Sequence, residues 1–245
     1  MRTLLTAALI ALFTFSTVAC SDDSGTPSPD TKASTPDTGA TPDTTASDTT
    51  AADTAPAQTY PEGPYGTNEG DTIENFEFDG YADADFLCKD SAQMVMNLSQ
   101  ARKISFSDFY NGSATCPNKK FDVLWVMVSA GWCGPCHLEV SETQAQYAKG
   151  ALDKRVALLN LVYQTDSRAP ADLPFTKLWA KNNQFQLSFP VAADPGFQMG
   201  KYFDKNAVPF NMLIDLKTMK MIFRQTGANL PAVGKALFDF LSKNK

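Results

Sequence analysis

The chain has 245 residues, 43% hydrophobic and 20% charged, the balance of an ordinary soluble protein. Its net charge of −6 is concentrated in residues 21–59, which hold seven Asp against one Lys and no Leu, Ile, Val, Met or aromatic residue. What remains is close to neutral, which excludes the basic surface that nucleic acid or another polyanion would need.

In chain order, residues 1–20 read as a secretory signal. Arg2 supplies a positive start, and the run from Leu4 to Phe15 is interrupted only by Thr6 and Thr14. That run is short for a membrane span, which needs ~20 apolar residues. The segment closes on Thr17-Val18-Ala19-Cys20, and its Ala-Cys junction resembles the lipobox of bacterial lipoproteins, with Thr17 where that family prefers Leu. The resemblance implies that Cys20 becomes a lipidated N-terminus. Residues 21–59 then form a disordered Thr/Asp/Pro/Ala linker, because such a tract cannot bury enough apolar surface to offset its ordering entropy. Thr35-Pro36-Asp37-Thr38 recurs as Thr41-Pro42-Asp43-Thr44, a low-complexity repetition. As a flexible coil the linker spans ~35 Å. The foldable domain occupies 60–245, enough for one hydrophobic core.

Five cysteines are present. If Cys20 carries lipid, four remain: Cys133 and Cys136 in a C-x-x-C, and Cys88 and Cys116. In an oxidising compartment the last two can bridge, closing a loop of about 28 residues, or stand as free thiols.

The expected strands centre on 123–129, 156–162, 189–192, 210–215 and 221–225. The expected helices are 133–149, about 173–182, about 196–203 and 230–243. The clearest strand is Phe-Asp-Val-Leu-Trp-Val-Met-Val-Ser at 121–129, an apolar run rich in β-formers. The Cys133–Cys136 pair follows on a strand-to-helix turn. A thiol at a helix start meets unpaired N–H groups and the positive end of the helix dipole, which favour its thiolate. Cys133 is therefore the expected nucleophile and Cys136 the resolving thiol.

Trp132-Cys133-Gly134-Pro135-Cys136 is the thioredoxin active-site pentapeptide. Residues 60–245 resemble the extracytoplasmic, membrane-anchored thiol–disulfide oxidoreductases of the TlpA/ResA type in the redoxin superfamily. Gly70–Phe76 resembles the lead-in segment of that superfamily, Ile104–Phe109 its next strand and turn, and Phe189-Pro190-Val191 with Asp194 its late strand. Val208-Pro209-Phe210-Asn211-Met212-Leu213-Ile214-Asp215 resembles its element of a cis-proline followed by a strand. The resemblance implies a thioredoxin-like α/β fold with a central mixed sheet and an N-terminal extension, working without a cofactor or metal. It further implies a substrate groove at Trp132, Val208 and Pro209, with Pro209 cis and facing the cysteines. Its partners would be disulfide-bearing exported proteins, an electron donor in the membrane, and the membrane itself through the anchor. The place would be the periplasmic side of a bacterial membrane, and the direction reducing, as Gly-Pro between the cysteines is typical of reducing members.

Two positions depart from thioredoxin. Its buried Asp, six residues before the first Cys, is Met127 here. Glu139, three residues after Cys136, matches a Glu often found in the TlpA/ResA type, which implies a proton acceptor for Cys136; a first-turn Glu that merely suits the helix dipole is the plainer reading.

Other chemistries use the same residues. Cys133–His137 is formally the C-x-x-C-H haem-attachment signature, but the strand-turn-helix setting and a single His in the chain speak against haem. Two Cys and one His fall short of tetrahedral zinc. Ala130 stands where peroxiredoxins carry Thr. A binding or scaffold protein with an idle C-x-x-C is the alternative from another class.

Overall fold

The computed structural model describes residues 59–83, 96–112 and 121–244. The expectations for the signal segment, the linker, Cys20, Cys88 and Cys116 lie outside the described residues.

Seven strands build one mixed sheet: β1 (Glu77–Tyr81), β2 (Arg102–Ser105), β3 (Val123–Ala130), β4 (Val156–Gln164), β5 (Val191–Ala193), β6 (Phe210–Asp215) and β7 (Lys220–Thr226). Among the described residues four helices accompany them: α1 (Phe106–Phe109), α2 (Gly134–Ala148), α3 (Leu173–Ala180) and α4 (Leu230–Lys243). The strand order is β2-β1-β5-β4-β3-β6-β7. β3 and β4 run parallel, as do β4 and β5, while β6 is antiparallel to both β3 and β7. The unit β3-α2-β4 followed by β6-β7-α4 is the core of a thioredoxin-like fold, as expected from the sequence. β1 and β2 extend the sheet beyond it.

The burial pattern explains why the central strands were the plainest in the sequence. Every residue of β3 is buried, and all but the last of β4. Strands covered on both faces carry continuous apolar runs, not alternation. α4 shows the opposite logic. It buries Val233, Leu237 and Leu241, one stripe at i, i+4 and i+8, with Leu230, Ala236 and Phe240 packed half-buried beside it. Asn229 caps it by accepting the Ala232 N–H at 3.2 Å.

α2 and α3 share a face of the sheet. Met127 lies in register between Asn160 on β4 and Asn211 on β6. Those two flanking side chains reach Trp179 of α3 and Glu139 of α2.

The segment ahead of β1 covers the outer edge of β7. Thr72 bridges Lys220, Gly70 N–H donates to Met221 C=O at 2.8 Å, and Met221 N–H donates back to Asp71 C=O at 2.9 Å. The chain then crosses to β1 through Phe76, whose ring meets Phe78, Phe106 and Tyr202 edge-on or tilted.

Three differences from the sequence expectation have physical causes. The helix expected at 196–203 is a single 3-10 turn, Gln198–Lys201, because Phe197 sits in the left-handed region at φ 50°. Asp194 holds that turn by accepting the Gln198 and Met199 N–H groups. The strand expected at 189–192 begins at Val191, after Pro190, which has no N–H to give a ladder. β1 follows the expected lead-in segment as a strand of its own. Gly80 within it faces Ala192 so closely that a Cβ there would lie 2.5 Å from that methyl.

Candidate active site

β3 delivers the chain to the site. Beyond Ala130, Gly131 N–H donates to Gln164 C=O at 2.8 Å, and Cys133 N–H turns back to Ala130 C=O at 3.0 Å. Gly131 must be glycine for reasons of space. A Cβ would stand 2.6 Å from the Asp166 N and 2.6 Å from Phe175 Cζ. This close approach docks the loop after β4 against the turn.

Cys133 is the N-cap of α2, in extended geometry, with Pro135 in the first turn. Cys133 and Cys136 are joined as a disulfide. Cys133 Sγ accepts the Cys136 N–H at 3.1 Å, so the sulfur stands where a capping oxygen would. On reduction the helix N-terminus favours negative charge on that sulfur. Cys136 is fully buried and Cys133 is 2% exposed, while Gly134 and Pro135 between them face outward.

Trp132 lies half-buried beside the pair. Its indole N–H donates to Gln164 Oε1 at 2.9 Å. Its outer face carries the Arg168 guanidinium, 3.9 Å from the ring centroid. Arg168 occupies the left-handed region at φ 66° in the tight loop after β4, where its N–H donates to Thr165 C=O at 3.0 Å.

The Val208–Pro209 bond is cis. Phe210 pairs with Val128, so Pro209 enters β6 at the end of the sheet where β3 hands over to the cysteines. Pro209 is buried, Val208 is half-buried, and Pro209 C=O accepts the Gly227 N–H at 2.7 Å. Cys133, Cys136, Trp132, Val208 and Pro209 thus lie at the same end of the sheet.

Glu139 lies beyond the first turn of α2, the turn in which the plainer reading puts it. It is 2% exposed and faces the sheet. Its Oε1 accepts the Asn211 Nδ2–H at 2.8 Å, and Asn211 Oδ1 accepts the Trp125 indole N–H at 2.7 Å. Its Oε2 is buried with no hydrogen-bond partner among the described residues. Burial pushes its carboxyl up to about 7. The Asn211 hydrogen bond and the Asn229 backbone N–H oppose the rise, and Glu142 adds slightly to it. The site's buried acid therefore comes from the helix, while the strand position where thioredoxin has Asp is filled by Met127.

A second polar cluster flanks Met127. Asn160 donates to Met127 C=O and to Ser129 Oγ, each at 3.0 Å, and accepts the Trp179 indole N–H at 2.7 Å. His137 packs its ring on Trp179, centroids 4.5 Å apart, with Nε2 2.9 Å from Gly131 C=O. The imidazole thus braces the turn carrying the C-x-x-C, where a haem-attachment reading would need it as an axial ligand.

Sequence reasoning missed Asn211, Trp125, Asn160, Trp179, Gln164 and Arg168. A signal existed for two of them: Asn160 and Asn211 are lone amides inside otherwise apolar strand runs. Buried polar side chains need partners.

No family model matches the chain, and no curated protein matches it. Solved structures do. A putative thiol:disulfide interchange protein, DsbE, from Chlorobium tepidum is 18% identical, over 71% of this chain and 98% of that one, with a TM-score of 0.46. AhpC of Enterococcus faecalis is 14% identical over 71% and 94%, at 0.49. The exposed lipoprotein thioredoxin of Streptococcus pneumoniae is 20% identical over 68% and 99%, at 0.44.

Proposed function

We propose that the protein is a thiol–disulfide oxidoreductase that works outside the cytoplasm, tethered to a membrane through Cys20, and reduces disulfides of exported proteins. One observation carries the reading. A Cys133–Cys136 disulfide caps α2 at the end of the sheet where the cis Val208–Pro209 bond lies, with a buried carboxyl, Glu139, one turn along the same helix. A merely structural disulfide has no use for such an acid.

The cycle balances in two exchanges. In the dithiol form, Cys133 thiolate attacks a client disulfide. A Cys133–client bond forms, and one client sulfur leaves as a thiolate that takes up a proton. Cys136 loses its proton, its sulfur attacks Cys133, the Cys133–Cys136 bond re-forms, and the second client sulfur leaves. The client gains two electrons and the enzyme pair loses them; a dithiol donor in the membrane restores the pair. Trp132, Val208 and Pro209 form the groove in which the client chain lies.

Insulin reduction by the purified protein with dithiothreitol tests the activity. Cys133→Ser is expected to abolish it. Cys136→Ser is expected to trap clients as covalent adducts, whose identification names the substrates. Direction follows from the potential: values near about −270 mV mark thioredoxin-type reductants and near about −120 mV strong oxidants. Glutathione titration of Trp132 fluorescence measures it, and a value at the oxidising end would replace reductase by oxidase. Exchange that survives Cys133→Ser would leave the scaffold alternative standing.

A further inference from the structure

Asn211 lies on β6, two residues beyond Pro209, and is fully buried. Its amide touches the chemistry only through Glu139. The amide has two orientations, and the surroundings select one. Trp125 offers an indole N–H, which can only donate, so Asn211 Oδ1 must face β3. Nδ2–H is thereby aimed at Glu139 Oε1 at 2.8 Å. One carboxyl oxygen is occupied by the Asn211 donor, and the other, Oε2, is buried with no partner in hydrogen-bond geometry among the described residues, the Asn229 backbone N–H acting on the carboxyl without making that bond. Thr143, one turn further along α2 and also buried, likewise has an unbonded Oγ1. These two atoms are the buried unbonded side-chain oxygens found among the described residues, and both lie on the helix face that carries Cys136 and Glu139.

Resting on the oxidoreductase reading, we propose that Asn211, locked by Trp125, is a positioning residue for the resolving step: it ties down Glu139 through Oε1 and so reserves Oε2 as the oxygen that receives the Cys136 proton. In that step Cys136 S–H breaks, Oε2–H forms, the Cys133–Cys136 bond closes and the client sulfur leaves. The groups bearing on Glu139 are Asn211 from β6, the Asn229 backbone N–H ahead of α4, and Glu142 from its own helix. The Asn211 bond favours the ionised carboxylate, the form able to accept a proton.

The test reads the Glu139 carboxyl directly, by carbon NMR of the full chain carrying labelled Glu, alongside the pH dependence of mixed-disulfide resolution. Asn211→Leu removes the donor and is expected to move the Glu139 titration upward by about one pH unit, with the resolving rate's acid limb moving equally. Trp125→Phe keeps Asn211 but frees its amide to turn. It is expected to shift both in the same direction by less, and it serves if Asn211→Leu does not fold. In a Glu139→Gln background, Asn211→Leu is expected to change the resolving rate by less than about twofold, as for groups acting through one another. A Glu139 titration unmoved in both variants would overturn the proposal. So would an Asn211→Leu effect of equal size with and without Glu139, which would mark a structural role. Failure of the oxidoreductase reading is told apart by insulin reduction that does not depend on Cys133.

Discussion

Glu139 is a carboxylic acid held far from its ordinary environment. Its carboxyl is raised to about 7 by burial, so the folded protein holds a proton that the unfolded chain releases near 4.5. Between those values the native state binds more protons. Stability from this group is therefore complete below about pH 4.5 and is lost as pH rises toward 7. The loss is bounded at roughly 3 kcal/mol. Glu139→Gln, which keeps an acceptor for Asn211, is expected to flatten that slope and to raise stability at pH 8. Urea midpoints across pH 4–8 check it, and an unchanged slope would refute it. Glu139 was singled out by resemblance, because the residue stands at a fixed offset from Cys136. Its clamp was not. The Trp125–Asn211–Glu139 chain joins residues separated by 86 and 72 positions, and no local pattern encodes such a pairing.

Elements were legible in proportion to how far their burial matched their period. β3 and β4 are sealed on both faces and showed as apolar runs, and α4 showed as a stripe. β1 was hidden because alternation at Phe76 and Phe78 is cut short by Gly80. The 3-10 turn failed as a helix through one backbone angle, at Phe197, which composition does not reveal. Gly131 links two elements, the β3–α2 turn and the loop after β4, by leaving no room for a side chain. Gly131→Ala must push that loop away, carrying Arg168 off the Trp132 face. Overpacking of this kind costs about 1–3 kcal/mol. The expected result is a lower melting temperature together with altered Trp132 fluorescence. A variant with wild-type melting and an unchanged spectrum would show that the loop yields freely.

At the scale of the whole molecule, sequence and fold divide the labour. The thioredoxin-like fold was legible, since motif, strand run and cis-proline element point to the same architecture. The proposed tether rests on Cys20, outside the described residues. Cys20→Ala is expected to move the protein from the detergent to the aqueous phase on partitioning. Wild-type protein found in the aqueous phase would remove the anchor. Among the described residues no helix is long and apolar enough to cross a membrane.

The strip from Gly70 to Ile73 that lines β7 has a mechanical consequence. A pull on the chain ahead of Tyr60 is met first by the Tyr60 ring against Tyr110 and its O–H on Ile73 C=O, then by Arg224 on Thr67 C=O, and then by this strip, before it reaches β1. The strip's own contacts are backbone hydrogen bonds of Gly70, Asp71 and Ile73 to Met219 and Met221. Peeled from one end they break one after another, each resisting with only about 0.5–1.5 kcal/mol. The strip thus works as a strain relief. A tug on the chain unzips an edge and bares β7, while the β3–α2 turn and its cysteines, at the end of the central strand β3, stay unloaded.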